Sequence, residues 1–279
     1  MPERWRVETV TGGQRRKRLV IASLAATALA AVTLLAARAD DLAKYQVGGE
    51  KSGYLFSAQE TRDMQDDDFN NPGFLWVERG EAAWNKVEGA AGKSCAACHG
   101  DVKSMRSVAT SYPKVDTRLG KLLDLEQRIN NCRTEHMQAP ALAWESDALL
   151  GLTALVKLQS RGMPVKVAIE GPAKSYWERG KAFYYTRRGQ LGLACSNCHE
   201  DNEGKMLRAD PLSQGQSNGF PTYRLAWQKL GSIQRRFQEC NSQVRAEPYP
   251  LGADEYVALE LFVASRGQGL PIETPSVRR

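Results

Sequence analysis

From Asp147 the chain reads DALLGLTALVKL, with Leu149, Leu152 and Val156 at i, i+3 and i+7. From Asp254 it reads DEYVALELFVASR, with Tyr256, Leu259 and Val263 at the same intervals. That period lines apolar side chains along one face, so both stretches are predicted to be amphipathic helices. Each ends at a glycine with a proline just beyond, Pro164 and Pro271, as helix ends do. Upstream, WVERGEAAW at 76–84 lines up with YWERGKAFY at 176–184, an offset of 100. Further on, INNCRTEHMQAPA (129–141) resembles FQECNSQVRAEPY (237–249), each with a cysteine inside a predicted helix. The pattern is an internal duplication. Its opening helices carry Gly80 and Gly180, which would let a crossing helix approach closely.

Between the opening helix and the cysteine-bearing helix, each half holds one further motif, CAACH at 95–99 and CSNCH at 195–199. A C-x-x-C-H run attaches a c-type haem: two cysteines bond the porphyrin and the histidine ligates its iron. Cys95 and Cys98 would hold one haem c covalently, Cys195 and Cys198 a second, with His99 and His199 as proximal ligands. The predicted fold is all-α: two tandem class-I-like c-type cytochrome domains, 76–165 and 170–279, related by duplication. Residues 40–75 form an N-terminal extension whose Asp66-Asp67-Asp68 reads as a solvated turn. The Pro- and Gly-containing stretch around Val165–Lys174 is the linker.

The N-terminus differs in kind. Arg15-Arg16-Lys17-Arg18, an apolar run over 19–37 and Ala37-Arg38-Ala39 make a secretory signal peptide over 1–39, cleaved near Ala39-Asp40. The competing reading is an uncleaved anchor, since the apolar run is nearly long enough to span a bilayer. The net charge of +6 is mostly a leader effect. Seven of the 38 basic and two of the 32 acidic residues lie in 1–39, which leaves 31 against 30. A mature chain so balanced gives no argument for a nucleic-acid partner, nor for a membrane once the leader is gone.

A haem iron held by one histidine has a second axial position to fill. The chain has three histidines, and none follows His199; the only methionine after Cys198 is Met206, too near the attachment site. The second iron is left with Cys240, a lysine, a water or nothing. Cys240 lies 42 residues past Cys198, and Cys132 lies 34 past Cys98. Two spare cysteines at matching positions are best explained as one distal thiolate for each iron. The alternatives are a disulfide bridging the halves, or buried thiols without a role. At the first haem His136 and Met137, one turn past Cys132, are rivals; the repeat favours Cys132. Thiolate ligation stabilises the ferric state, so such a haem would have a low potential.

Arg236 precedes Cys240 by four residues, which puts both on one helix face, and Lys229 falls two turns further back. Arg128 precedes Cys132 by the same spacing. The bland reading of Arg236 is a haem-propionate partner or a solvated charge. The functional reading is a guanidinium that lowers the thiol pKa and offers a fork of donors to a sulfonate or thiosulfate. Cys240 would then act as a nucleophile, or carry an extra sulfur as a persulfide.

The two C-x-x-C-H motifs, the equivalent Cys132 and Cys240, and the RRFQECN…RAEPY stretch resemble the SoxA family, the dihaem cytochrome subunits of bacterial thiosulfate-oxidising Sox systems. The resemblance covers essentially the whole mature chain. It implies a periplasmic L-cysteine S-thiosulfotransferase that pairs with a SoxX-type monohaem cytochrome c. Thiosulfate would be conjugated oxidatively to a cysteine of the SoxYZ carrier, with electrons leaving through haem to an external c-type cytochrome. Carried over by position, Cys240 is the catalytic cysteine, a persulfide and axial ligand together, and Arg236 binds the substrate anion. Lys229 and Arg245 are candidates to support that anion. His199 stays the proximal ligand of the second haem, with His99 and Cys132 on the first. The other readings are a thiosulfate dehydrogenase forming tetrathionate, and a plain dihaem electron carrier. A dihaem peroxidase is disfavoured, because a thiolate on each iron leaves no site for peroxide.

Overall fold

The repeat in the sequence is a repeat in space. A computed structural model describes residues 42–279; the predicted leader over 1–39 lies outside the described residues. A short hairpin, β1 (Gln46–Val47) with β2 (Glu50–Lys51), and helix α1 (Gln59–Asp66) precede the first half. That half runs α2 (Phe74–Asn85), α3 (Cys95–His99), a hairpin of β3 (Lys114–Asp116) with β4 (Lys121–Leu123), then α4 (Leu125–Asn131) and α5 (Asp147–Leu158). The second runs α6 (Lys174–Tyr185), α7 (Cys195–His199), an added hairpin of β5 (Met206–Leu207) with β6 (Asp210–Pro211), and β7 (Thr222–Arg224) with β8 (Lys229–Gly231). It ends with α8 (Ile233–Gln243), α9 (Asp254–Arg266) and β9 (Ser276–Arg278), which lies parallel to β7.

In each half the opening and closing helices cross at the predicted glycine. A Cβ on Gly80 would come within 2.2 Å of the Gly151 carbonyl oxygen, and one on Gly180 within 2.0 Å of that of Ala258. Backbones so close exclude any side chain, so glycine is a packing requirement here.

The closing helices are buried more completely than a single apolar stripe predicts. Leu149 through Val156 and Tyr256 through Ala264 are buried without a break. On α9, Tyr256, Leu259, Phe262 and Val263 pack with Tyr184 in the core of the second half. Its other side gives Val257, Leu261 and Ala264 to a core shared with Leu150, Ala154 and Leu155 of α5. Each fully buried leucine is worth about 1.5–3 kcal/mol over leaving it exposed. The apolar residues outside the i, i+3, i+7 set are those that join the halves, and residues 45–279 form one compact unit.

Charge is buried at the same junction. Asp124, Glu126 and Glu260 are at most 6 % exposed. Gln234 donates to Asp124 at 2.7 Å, and Lys157 donates to the Phe220 carbonyl at 2.9 Å. Burial raises the pKa of all three carboxyls, that of Glu260 to about 8.

The extension docks on the second half. Lys51 N–H donates to Gln214 at 2.7 Å, Ser52 donates to Glu273, and Asn71 donates to the Pro275 carbonyl at 2.8 Å. The acidic run ends helix α1 and enters the turn after it, with bonded partners rather than solvent alone. Asp66 accepts from the Tyr54 hydroxyl, Asp67 accepts from Phe69 N–H, and Asp68 pairs with Arg161. The linker is tied down by the Val165 N–H to Leu270 carbonyl bond at 2.9 Å.

Candidate active site

Each C-x-x-C-H run folds as a short helical turn, Cys95–His99 and Cys195–His199, which holds two cysteines and a histidine close together. In α3 the Ser94 hydroxyl accepts from Ala97 N–H; in α7 the Asn197 side chain accepts from Ala194 N–H instead. All six cysteines are free thiols, so the disulfide alternative for Cys132 and Cys240 is absent. Burial, reinforced by the Cys240 sulfur, pushes the Cys195 thiol up to about 12, and the same two causes raise Cys198. In the first half burial raises Cys95, with Cys132 adding to it, and burial raises Cys132, with Cys98 adding to it. The structure therefore brings each spare cysteine to the motif of its own half.

The two C-x-x-C-H histidines are held differently. Burial, the largest influence, takes His199 down to about 4, which keeps the imidazole neutral. Its Nδ1 donates to the Ser213 carbonyl at 2.7 Å, which leaves Nε2 free to ligate. A Cβ on Gly215 would touch the His199 ring at 2.9 Å, so the loop passes flat against it. His99 is exposed, with the Trp84 ring 5.8 Å from its own. The difference lies in length: 42 residues separate Cys198 from Cys240, against 34 between Cys98 and Cys132. The extra eight fall in the stretch that carries the β5–β6 hairpin and the Ser213–Ser217 strap.

The distal helices start alike and end differently. Both follow a two-stranded hairpin and a side-chain N-cap, Asp124 for α4 and Ser232 for α8. After Cys132 the helix widens into a π turn over Cys132–Met137, whereas α8 stays α-helical. Both halves then re-register on a turn glycine: Gly89 abuts the Met137 carbonyl and Gly189 that of Val244. Five residues lead from Cys132 to Met137 but four from Cys240 to Val244, and a π turn is how a helix absorbs one extra residue. Met137 thus stands where Val244 does, at the helix end and buried, while His136 is exposed.

Arg236 sits one turn before Cys240, as the spacing predicts. Burial opposes its charge, but Cys240 and Glu239 outweigh burial, and its pKa rises. Glu239 accepts its hydrogen bond. Lys229 departs from the expectation. It lies in strand β8, before α8 begins, and its ammonium binds the Glu145 carbonyl at 2.9 Å and Asp147 at 3.4 Å. The helical spacing assigned to it does not exist, because Ser232 starts the helix later. Arg245 lies past the end of α8 with a positive φ of 56°, and its guanidinium reaches Gln190 at 3.4 Å. Sequence reasoning passed over Arg224 in β7, which lies within electrostatic reach of Arg236 and Cys240. The signal was there at an offset of 108, where Asp116 aligns with Arg224 while Arg128 aligns with Arg236.

These residues fit haem c. Each half offers two free thiols at C-x-x-C spacing, a histidine next to them and a third thiol nearby.

Comparison with known proteins agrees with this arrangement. The family model "SoxA/TsdA, cytochrome c domain" matches residues 79–165 and again 179–272. The chain is 50% identical over 227 residues to the L-cysteine S-thiosulfotransferase subunit SoxA of Paracoccus pantotrophus, covering 81% of this chain and 78% of that protein. It is 48% identical to the same subunit from Pseudaminobacter salicylatoxidans, over 82% of this chain and 80% of that one. The crystal structure of SoxXA from P. pantotrophus superposes with a TM-score of 0.81 at 49% identity, covering 82% of this chain and 87% of that chain.

Proposed function

The chain belongs to the SoxA/TsdA cytochrome c family, and from that premise we propose that it is a SoxA-type L-cysteine S-thiosulfotransferase subunit conjugating thiosulfate to a carrier cysteine. The observation that carries the reading is the free Cys240 thiol beside the CSNCH cysteines, with Arg236 one turn away.

Cys95 and Cys98 would attach one haem c, with His99 and Cys132 holding its iron. Cys195 and Cys198 would attach the other, with His199 and Cys240. When bound, haem c supplies the acceptor for the two electrons that the conjugation releases. The chain's own residues do the rest. Arg236 holds the thiosulfate dianion by charge-assisted hydrogen bonds. Cys240, carrying a persulfide, forms a bond from its outer sulfur to the outer sulfur of thiosulfate. The product is Cys240–S–S–S–SO3⁻, and two electrons leave. A carrier thiolate then attacks the sulfur that bears the sulfonate and breaks its bond to the outer persulfide sulfur, by thiol–disulfide exchange chemistry. The products are carrier–S–S–SO3⁻ and the Cys240 persulfide, so the site returns to its starting state. Ser213 keeps the His199 ring oriented throughout.

The partner in this reading is a SoxX-type monohaem cytochrome c, the acceptor protein a SoxYZ-type carrier, and the compartment the periplasm. No helix among the described residues is long and apolar enough to cross a membrane.

Intact-mass measurement of the purified protein, before and after reduction, tests the site. Two haems plus one sulfur, traced to the Cys240 peptide, are expected; a reduction-insensitive two-haem mass argues against the persulfide. Cys240→Ser is expected to abolish carrier conjugation in a reconstituted system. Retained conjugation would overturn the assignment.

A further inference from the structure

The halves share a fold around their spare cysteines but not a charge. From hairpin to cysteine the equivalence holds at 108 residues: Asp116 with Arg224, the N-caps Asp124 with Ser232, Arg128 with Arg236, Cys132 with Cys240. The strand register agrees, since Asp116 pairs with Lys121 and Arg224 with Lys229. In the first half Asp116 binds Arg128 at 2.7 Å and spends its other oxygen on the N–H groups of Arg118 and Leu119. The arginine one turn before Cys132 is neutralised.

In the second half that neutralising position is itself an arginine. The Arg224 Nε is buried without a partner. Among the described residues its guanidinium makes no hydrogen bond or ion pair, and it lies 5.2 Å from the Trp227 ring centroid. Arg236 has Glu239. The equivalent side chains of the first half, Asp116 and Arg128, touch at 2.7 Å, so the fold brings positions 224 and 236 together; burial first, and then repulsion from Arg236, bring Arg224 down to about 10. A half-buried cation beside another cation and without a counter-charge is unfavourable. An anion with charge spread over several oxygens would relieve it.

We propose that Arg224 is the second guanidinium of an oxyanion cradle at Cys240, taking the sulfonate end of thiosulfate jointly with Arg236. This rests on the thiosulfate reading of the site and adds a substrate-binding residue to it. The acid-to-arginine change between Asp116 and Arg224 then explains why one pocket of the duplicated pair receives an anion and the other does not.

The test uses the haem-loaded heterodimer with saturating carrier and varied thiosulfate. Arg224→Gln is expected to raise KM for thiosulfate by about tenfold or more, with kcat within about threefold. Arg224→Lys should recover part of that loss, since it keeps the charge without the fork. Inhibition by sulfate, an unreactive dianion, should weaken in step. The resting optical and EPR signature of the second haem should match the parent. An unchanged KM overturns the proposal. So does a KM effect matched by an altered resting signature, the mark of a propionate partner. If Arg224→Gln fails to take up both haems, Arg224→Lys decides, and its KM must rise severalfold. Arg236→Gln, run alongside, separates the two levels. Intact thiosulfate turnover in that variant defeats the thiosulfate reading itself, whereas lost turnover there with an ordinary KM in Arg224→Gln defeats only the part given to Arg224.

Discussion

His199 donates its Nδ1 hydrogen to the carbonyl of Ser213 at 2.7 Å, and Ser213 belongs to a segment that the first half lacks. The next residue, Gln214, donates to the Gly49 carbonyl at 3.1 Å and accepts from Lys51 N–H at 2.7 Å. The N-terminal extension thus braces the strap that orients His199, the proposed ligand of the second haem. Second-position partners of this kind fix the tautomer and ring plane of a ligating histidine.

Gly215 is the tightest point of that strap. Its φ is +74°, and a Cβ there would lie 2.9 Å from Cγ and Nδ1 of His199. Gly215→Val is expected to rotate or displace the ring and to alter the EPR signature of the second haem while leaving the first unchanged. A spectrum identical to the parent would show that the strap does not set the ring.

The helix crossings give a stability prediction. Gly180→Ala would force a Cβ to 2.0 Å from the Ala258 carbonyl, and Gly80→Ala one to 2.2 Å from that of Gly151. Backbone cannot yield as a flexible side chain does, so each substitution should cost about 1–3 kcal/mol or more. Urea unfolding of the haem-loaded protein would measure it, and a variant within about 0.5 kcal/mol of the parent would contradict the packing argument.

The duplication, the crossing glycines and the pairing of each spare cysteine with its own motif were legible in the sequence, because they rest on residue identity at fixed spacing. What was not legible depends on contacts far apart in the chain. The Lys51–Gln214 bond spans 163 residues, and two-residue strands such as β5 and β6 carry no periodicity to detect. Lys229 was placed on a helix because charge spacing was read past Ser232, whose N-cap starts α8 after a strand. The all-round burial of α5 and α9 was hidden because a periodic apolar stripe reports one packed face. The second face meets the other half, which a local pattern does not contain.

The proposed ligation of the second haem by Cys240 makes a redox prediction. An anionic thiolate donates charge to iron and favours the ferric state, whereas a thioether favours the ferrous one. Cys240→Met is therefore expected to raise the potential of the second haem in spectroelectrochemical titration, and to leave that of the first unmoved. An unchanged second potential would mean that Cys240 is not on the iron.

The buried carboxyls at the junction of the halves predict how stability follows pH. Burial is the largest cause of the rise of Glu260 to about 8; Glu126 adds repulsion and Lys157 opposes. Asp124 and Glu126 are raised too, again chiefly by burial. An acid whose folded pKa exceeds its unfolded value, about 4.3 for Glu, holds its proton more tightly in the native state. The stabilisation is then full below the unfolded value and is lost as pH rises toward about 8. The parent should be less stable near pH 9 than near pH 5, as read from urea midpoints. Glu260→Gln keeps the shape and removes the ionisation, so it should gain about 1–3 kcal/mol over the parent at the alkaline end and little at the acid end. Lys157 sets the size of that gain. Its ammonium is already bound to the Phe220 carbonyl and sits among three carboxyls, so it offsets only part of the repulsion once more than one of them ionises. A Glu260→Gln protein whose stability runs parallel to the parent from pH 5 to pH 9 would show that Glu260 is ionised throughout, with Lys157 as its full counter-charge.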